Sequence, residues 1–322
     1  MRLHVLAAGQ ADALVLELPS GRLAVVDFGH TSLLDYLDDL DPTQSKRFAF
    51  CVLTHAHHDH YARLEEFIRR HDARVDEYWF SFVETSNIPA LLALRAAAAR
   101  GGRGRLLVQD TPTVQSIVVE PDIEILCFAP NTSEVLAAPG YGSSTVENNR
   151  SIVVFVRHGQ ATILLGADAE EDRWRRVESQ ARATGLSLAA HVIKAPHHGA
   201  APPHGIPHDM WPTLLQSPDT FAVFSVGRRA GKPALDTIAA LRGRARIRCT
   251  GRSLTCRPLH PLPITYGQRS GDLIARVLPL APEDRPVQSC FGTQVYDLNP
   301  TGTVALVQDA RPAFLDACLT HQ

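Results

Sequence analysis

One short segment, 54–60, constrains the chain more than any other because it concentrates metal-binding side chains at one point. It reads Thr-His-Ala-His-His-Asp-His and holds five imidazole or carboxylate groups within six residues. The run 48–53 before it is apolar and prone to β-structure, and the run 61–70 after it repeats apolar residues at helical spacing. This segment, which we term the histidine box, is predicted to be a loop between a buried strand and a helix. Imidazoles and carboxylates are ligands of Zn²⁺ and similar cations, so the box predicts a metal site rather than a histidine-rich surface turn.

Further predicted strands also end in residues that can bind metal. The strand at 23–27 ends in Asp27, the strand at 161–165 leads to Asp168, and the strand at 191–194 leads to His197 and His198. Each signal is weak alone, and an aspartate before a glycine, as at Asp27, is equally typical of a turn. Together they predict strand ends that converge on one edge of a sheet and form a site for two metal ions.

Composition limits the remaining classes. The chain has 322 residues, of which 45% are hydrophobic, and this is ample for a large core. A net charge of −2 gives no bulk attraction to polyanions, although a local basic patch is compatible with it. The six cysteines form no C-x-x-C motif, which favours reduced thiols and a cytoplasmic protein. We find no signal-peptide pattern and no apolar run long enough for a membrane span, so no membrane partner is expected.

The order of these motifs resembles the metallo-β-lactamase superfamily. The resemblance rests on Asp27, the histidine box, Asp168 in Leu-Leu-Gly-Ala-Asp-Ala, and Pro-His-His-Gly at 196–199. Within that superfamily, four segments are similar to the metallo-hydrolase domain of ComEC-type competence proteins: Gly9-Gln10-Ala-Asp12-Ala13, Leu18-Pro-Ser-Gly21, Asn149-Arg-Ser151, and Lys194-Ala-Pro-His-His-Gly199. The resemblance covers roughly residues 1–255. It implies an α/β (α+β) fold, a four-layer αββα sandwich with two metals at the top of its sheets.

The resemblance also implies a role for each residue of the site. The metal ligands are His55 and His57 on the first ion, Asp59, His60 and His197 on the second, and Asp168 as a bridge. Asp27 lies behind them and orients a ligand, as such carboxylates commonly do. Catalytic roles fall to Asp59, Asp168 and His198, and for His198 metal binding, substrate contact and a structural hydrogen bond all stay open. The implied cofactor is a pair of divalent ions, Zn²⁺ or Mn²⁺.

The chain departs from the superfamily pattern at one ligand. A histidine is usual between the box and the bridging aspartate, and only His71 and His158 stand in that interval. His71 is predicted within or just after a helix and His158 at the wrong end of its strand, so neither is expected to bind. Asn148 or Asn149 can take the place through a weaker amide oxygen, which favours Mn²⁺ over Zn²⁺ and a weakly held first ion.

The second half of the chain carries softer signals. Arg244, Arg246 and Arg248 alternate with apolar residues and are predicted to share one strand face, either as a track for phosphates or as a protected sheet edge. Together with Asn148, Asn149 and Ser151, they are the candidate substrate-binding residues. We divide the chain into a hydrolase domain at 1–257 and a β-rich extension at 258–322 that packs on it.

Three functions compete at this stage. The first is a phosphodiesterase or nuclease that acts on a phosphorylated substrate such as nucleic acid, as the ComEC-like motifs and the arginines suggest. The second is a hydrolase of a small ester, lactone or phosphoester. The third is a metal-binding sensor or partner-binding module whose site has decayed, which the missing histidine allows. The sequence does not indicate the oligomeric state.

Overall fold

Several strands of this chain are apolar on both faces, and such strands need a covering layer on each side. All six residues of the strand that precedes the histidine box, Phe48–Leu53, are buried. The protein is described by a computed structural model over residues 1–30, 32–81, 88–108, 114–136, 144–226, 232–250 and 292–307. Within these ranges the strands form two sheets with helices on their outer faces.

The strands, in chain order, are β1 (Arg2–Val5), β2 (Leu14–Glu17), β3 (Leu23–Val26), β4 (Phe48–Leu53), β5 (Tyr78–Phe80), β6 (Gly104–Leu106), β7 (Gln115–Glu120), β8 (Ile123–Phe128), β9 (Val153–His158), β10 (Ala161–Leu165), β11 (Val192–Lys194), β12 (Phe221–Phe224), β13 (Arg246–Cys249), β14 (Gln294–Leu298) and β15 (Val304–Val307). The helices are α1 (Ser32–Leu40), α2 (His58–Tyr61), α3 (Leu64–His71), α4 (Pro89–Ala99), α5 (Thr132–Leu136), α6 (Ser144–Asn149), α7 (Glu171–Thr184), α8 (Trp211–Leu214) and α9 (Leu235–Leu241).

Each sheet combines parallel and antiparallel strands. The first sheet has the order β15-β14-β1-β2-β3-β4-β5-β6, and the second has the order β13-β12-β11-β10-β9-β8-β7. Strands β3 to β6 are parallel, as are strands β10 to β13. Val26 is the register partner of Val52, and Leu165 is the register partner of Lys194. The neighbouring strands β3 and β4 therefore end together, and so do β10 and β11.

Three hydrophobic clusters separate four layers. One lies between the sheets, where Phe50 stacks on Trp79 with ring centroids 4.2 Å apart and an interplanar angle of 6°. The second joins the first sheet to α1, α3 and α4, and the third joins the second sheet to α7, α8 and α9. The predicted four-layer αββα sandwich is confirmed. No helix in the described ranges is both long enough and apolar enough to cross a membrane.

The helical region after the histidine box begins earlier than predicted. The helix expected at 61–70 is divided, because α2 already includes His58–Tyr61 and α3 begins at Leu64. The second half of the histidine box is thus helical rather than a loop.

The β-hairpin of β14 and β15 extends the first sheet beside β1. The proposed domain boundary at 257/258 lies outside the described residues and stays a prediction.

Candidate metal centre

The predicted site residues follow the carboxyl ends of parallel strands. Asp27 follows β3, the histidine box follows β4, Asp168 follows β10, and the Pro-His-His-Gly turn follows β11. Of the five non-glycine residues with positive φ in the described ranges, four lie at these strand ends: Asp27, Ala167, His197 and His198. An L-residue in this conformation carries strain that the surrounding structure must hold, and such strain tends to collect at functional sites.

Backbone contacts hold the histidine box against the β1–β2 turn and the residues that follow β3. The backbone N–H of Asp12 donates to the Asp59 carbonyl at 3.2 Å, and that of Phe28 donates to the His60 carbonyl at 2.6 Å. A Cβ on Gly29 would lie 1.8 Å from the Asp59 carbonyl oxygen. Only glycine permits this approach, so the position of α2 is fixed by backbone contacts on both sides.

One group of four potential ligands contains Asp59, His60, Asp168 and His198, each with a ligand atom within 4.8 Å of the others. The His60 Nε2 lies 3.4 Å from Asp168 Oδ1, and the His198 Nε2 lies 3.7 Å from both Asp59 Oδ2 and Asp168 Oδ1. Among the described residues, His60 Nε2, Asp168 Oδ1 and His198 Nε2 are buried without a hydrogen-bond partner. Buried polar atoms left unpaired are costly. A cation that binds nitrogen and oxygen ligands would satisfy all three, so these residues fit a metal ion.

A second group shares one member with the first. Ligand atoms of His55, His57 and Asp168 also lie within 4.8 Å of one another. The His55 Nε2 is 3.1 Å from His57 Nδ1, and the two rings meet edge to face. Because Asp168 belongs to both groups, its carboxylate is placed where a bridge between two ions would be.

Asp27 lies behind the first group and fixes one of its rings. Its carboxylate accepts from His60 Nδ1 at 2.7 Å, from the Thr54 backbone N–H at 2.9 Å, and from the Thr54 hydroxyl. A carboxylate can only accept from an imidazole N–H, so His60 Nδ1 carries a proton and Nε2 faces Asp168. This arrangement matches the carboxylate–histidine pairs that orient metal ligands.

The charge states of these groups follow from burial and from their neighbours. Burial lowers the pKa of His60, but the carboxylates of Asp27 and Asp168 outweigh it and hold that pKa well above its ordinary value. Burial raises the pKa of Asp168, yet His198 and His60 bring it well below its ordinary value. Burial places the pKa of His55 well below its ordinary value, so His55 is neutral at pH 7 and can offer a lone pair.

The two adjacent histidines at 197 and 198 have different surroundings. The His197 Nδ1 lies 2.7 Å from the His204 carbonyl oxygen, and its Nε2 lies 3.9 Å from Asp168 Oδ2. His198 is the member of the four-residue group, and it is 1% exposed. The structure thus favours His198 over His197 as the fourth ligand of that group, and the ligand role of His197 stays a prediction.

Both histidines considered for the usual third position lie elsewhere. The His71 ring packs against Phe48 and Phe67, and His158 Nδ1 lies 3.0 Å from the Leu298 carbonyl oxygen. Neither belongs to a potential ligand group among the described residues.

The polar stretch at the end of α6 does lie beside the box. The backbone N–H of Ile152 donates to the Thr54 carbonyl at 3.1 Å. Asn148 donates its amide N–H to Glu170 at 2.8 Å, and the side-chain oxygens of Asn148, Asn149 and Ser151 have no partner among the described residues. Their roles as ligand or substrate contact remain predictions.

The arginines are placed differently from the expectation. Strand β13 begins at Arg246, so Arg244 lies in the preceding turn and the prediction of three arginines on one strand face is wrong. Arg246 pairs with Asp219 and lies 5.5 Å from the Phe221 ring, near the start of β12. The metal-binding groups follow the opposite ends of the parallel strands. Arg248 lies further along β13, 5.9 Å from the Phe221 ring, and the phosphate track stays a prediction.

Sequence reasoning missed a buried ion pair at the site. Lys194 Nζ lies 2.9 Å from both carboxylate oxygens of Asp12, and each residue is 1% exposed. Both residues lie in the ComEC-like segments, but the sequence did not indicate that they pair or what they do. Glu170, 4% exposed and within 3.8 Å of His197 Nδ1, was also missed.

No family model matches the chain, and no curated protein matches it. Among solved structures, the chain is similar to the metallo-beta-lactamase fold protein YhfI from Bacillus subtilis, at 9% identity, 77% coverage of this chain, 96% of that chain and a TM-score of 0.49. It is also similar to Igni18, a metallo hydrolase from the archaeon Ignicoccus hospitalis, at 13% identity, 77% and 95% coverage and a TM-score of 0.44. For the short form of human tRNase Z the identity is 12%, the coverage 61% and 77%, and the TM-score 0.36. At these identities and TM-scores the likenesses establish neither a family nor an activity for this chain.

Proposed function

We propose that this chain is a metal-dependent hydrolase that cleaves phosphodiester bonds. The observation that carries the proposal is the set of buried, unpartnered donor atoms on His60, Asp168 and His198, next to a second group that shares Asp168. When bound, divalent ions at such a site supply a nucleophile at neutral pH and polarise the scissile group.

The chain's own residues prepare this chemistry by holding the ligands in place. Asp27 fixes the His60 ring through a hydrogen bond of 2.7 Å, so no reorientation is needed when a ligand atom is engaged. The side chain of Asp168 is 4% exposed, whereas that of Asp59 is 42% exposed. The site is therefore buried at Asp168 and open to solvent at Asp59, where we expect substrate to enter.

A basic residue beside the Pro-His-His-Gly turn supports an anionic substrate. Burial lowers the pKa of His197, Asp168 opposes this shift, and the positive charge of Lys232 adds to it. The Ala234 N–H donates to the Gly199 carbonyl at 2.8 Å and holds the 232–234 stretch beside the Pro-His-His-Gly turn. Together with the ComEC-like segments, this charge favours a phosphodiester, and nucleic acid as its source, over a neutral ester or lactone.

A second candidate function is a metal-binding sensor or partner-binding module. The specific observation in its favour is that neither His71 nor His158 reaches the group formed by His55, His57 and Asp168 among the described residues. A site with two histidines and one shared carboxylate would hold its ion weakly, and weak occupancy is compatible with a protein that binds without turnover.

The test is a substrate panel with the purified protein, supplied separately with Mn²⁺ and Zn²⁺. The panel contains bis(p-nitrophenyl) phosphate, single-stranded and double-stranded nucleic acid, an aryl ester, a thioester and a lactone. Asp168→Asn is the test variant, and Asp35→Asn, at an exposed position on α1, is the matched control. We expect phosphodiester turnover that falls at least about 100-fold in Asp168→Asn and is unchanged in Asp35→Asn.

The alternatives give different results in the same panel. Turnover confined to the ester, thioester or lactone would identify a hydrolase of small esters or lactones. Substoichiometric metal with no turnover of any substrate would identify the sensor or binding module. Phosphodiester turnover that survives in Asp168→Asn would show that the reaction does not use this site.

A further inference from the structure

A buried ion pair joins the two sheets directly beneath the proposed metal site. Asp12 belongs to the turn between β1 and β2 in the first sheet, and Lys194 is the last residue of β11 in the second. The Lys194 Nζ lies 2.9 Å from each carboxylate oxygen of Asp12 and donates to the Ala195 carbonyl at 3.2 Å. Both side chains are 1% exposed. A buried ion pair is weak evidence for stability, because the desolvation of two charges offsets their attraction.

The carboxylate of this pair faces a histidine of the site. The Asp12 Oδ1 lies 3.7 Å from His198 Nδ1, while His198 Nε2 lies 3.7 Å from Asp59 and Asp168. Both ring nitrogens of His198 are buried without a hydrogen-bond partner among the described residues. A shift of less than one ångström would bring His198 Nδ1 within hydrogen-bond distance of Asp12.

The same arrangement already exists on the other histidine of the group. Asp27 accepts from His60 Nδ1 and leaves His60 Nε2 facing Asp168. Asp12 lies on the Nδ1 side of His198, as Asp27 lies on the Nδ1 side of His60. In both rings Nε2 faces Asp168. A buried carboxylate thus lies on the Nδ1 side of each imidazole, and the two imidazoles come from different sheets.

Building on the metal-dependent function proposed above, we propose that Asp12, held by Lys194, is a positioning residue that fixes the His198 ring with Nε2 toward Asp59 and Asp168. Lys194 has a second consequence. Oxygen atoms of Asp12 and Asp27 and a nitrogen of His60 form a third group within 4.8 Å. The ammonium group of Lys194 donates to Asp12 Oδ2, and its charge repels a cation from that neighbouring position.

The side chains can be tested without removing the backbone contacts of the turn. Asp12 also binds Asp59 and Gly29 through its main chain, and these bonds do not depend on the carboxylate. Replacing one partner leaves a buried, unpaired charge, so Asp12→Asn and Lys194→Met are each expected to lower the Tm. The double variant Asp12→Asn/Lys194→Met removes both charges, and we expect it to recover most of that loss.

The decisive readout is Zn²⁺ affinity, measured by competition with a chromophoric chelator. We expect the double variant to bind one zinc ion about 10- to 100-fold more weakly than the wild type. The matched control is Glu17→Gln/Lys46→Met, which removes a partly exposed ion pair of 2.8 Å. Glu17 pairs with Leu23 at the start of β3, at the opposite end of that strand from the site. That control is expected to keep the wild-type affinity.

A second measurement needs no variant of the pair. Long-range ¹H–¹⁵N spectra of the zinc-loaded wild-type protein, with the His198 signal assigned from its loss in His198→Gln, report which ring nitrogen carries the proton. The proposal requires a proton on Nδ1, facing Asp12. A folded double variant with wild-type affinity for every ion, or a proton on His198 Nε2, would overturn the proposal while the metal-dependent function stands. A wild-type protein that binds neither Zn²⁺ nor Mn²⁺ would overturn both.

Discussion

The replacement Asp27→Asn tests how the site is organised with a change of a single atom. In the wild type, Oδ1 accepts from the Thr54 backbone N–H at 2.9 Å and Oδ2 accepts from His60 Nδ1 at 2.7 Å. An asparagine has one oxygen for these two donors. If that oxygen stays with Thr54, the amide N–H₂ meets His60 Nδ1, and the proton of His60 must move to Nε2. Nε2 could then no longer offer a metal ion the lone pair that becomes free once the Nε2 proton is displaced.

The opposite orientation of the amide is also unfavourable. Its oxygen would serve His60, but its N–H₂ would face the Thr54 N–H and leave a buried donor unpaired, at about 1–3 kcal/mol. Loss of a carboxylate behind a ligand histidine typically weakens metal binding about 10- to 100-fold, which is about 1.4–2.7 kcal/mol. We expect this loss in Zn²⁺ affinity, with a similar fall in hydrolysis rate.

The assay is chelator competition for Zn²⁺, with thermal unfolding of the metal-free proteins in parallel. Asp35→Asn makes the same chemical change at an exposed position and should leave both quantities unchanged. Wild-type affinity in Asp27→Asn would refute the reasoning, and Asp27 would then be a residue that only shapes its turn. A large loss of Tm with unchanged affinity would lead to the same conclusion.

Three further predictions concern the core, one buried histidine and the arginines. Phe50→Ala removes a buried ring stacked at 4.2 Å on an indole and should lower the free energy of unfolding by about 3–5 kcal/mol in urea titrations. Burial lowers the pKa of His71 to about 4, so the unfolded chain binds more protons between about pH 4 and 6.5. The stability that neutral His71 contributes, up to about 3 kcal/mol, should therefore be lost as pH falls through that window, and His71→Phe should flatten this part of the Tm–pH curve. If nucleic acid is the substrate, replacing Arg244, Arg246 and Arg248 with glutamine should reduce the log–log salt slope of binding by up to about 0.9 per lost phosphate contact.

Each of these predictions has a result that contradicts it. A loss below about 1 kcal/mol in Phe50→Ala would mean that the inter-sheet core repacks around the cavity. Identical pH curves for His71→Phe and wild type would show that other groups control acid stability. An unchanged salt slope in the arginine variant would leave β13 as a sheet edge protected by charge.

The fold and the centre of the site could be predicted because their signals are local. A buried strand has a short apolar run, and each strand end places its functional residue at the next few positions. The histidine box and Asp168 needed no knowledge of pairing beyond the rule that parallel strands end at one edge. The hairpin of β14 and β15 was predicted as β-structure, but its place beside β1 depends on a contact across nearly the whole chain.

The remaining features depend on geometry that no local pattern carries. His197 and His198 are chemically identical neighbours with positive φ, and only the turn around them decides which ring joins Asp59 and Asp168. Asp12 and Lys194 are separated by 182 positions in the chain, so their pairing becomes visible only when the two sheets meet. The arginine face was misjudged because β13 begins two residues later than the alternation of residues suggests.

The central claim is that the histidine and aspartate side chains at the strand ends bind the metal ions that the chemistry requires. Its most direct test is elemental analysis of protein that has been loaded with Zn²⁺ and freed of unbound ion, comparing wild type with His60→Ala/Asp168→Ala. We predict at least one ion per wild-type chain, with a second, more weakly held ion partly retained, and close to none in the double variant, because Asp168 belongs to both ligand groups. A folded double variant that retains the wild-type metal content would contradict the account, because the metal would then be bound elsewhere.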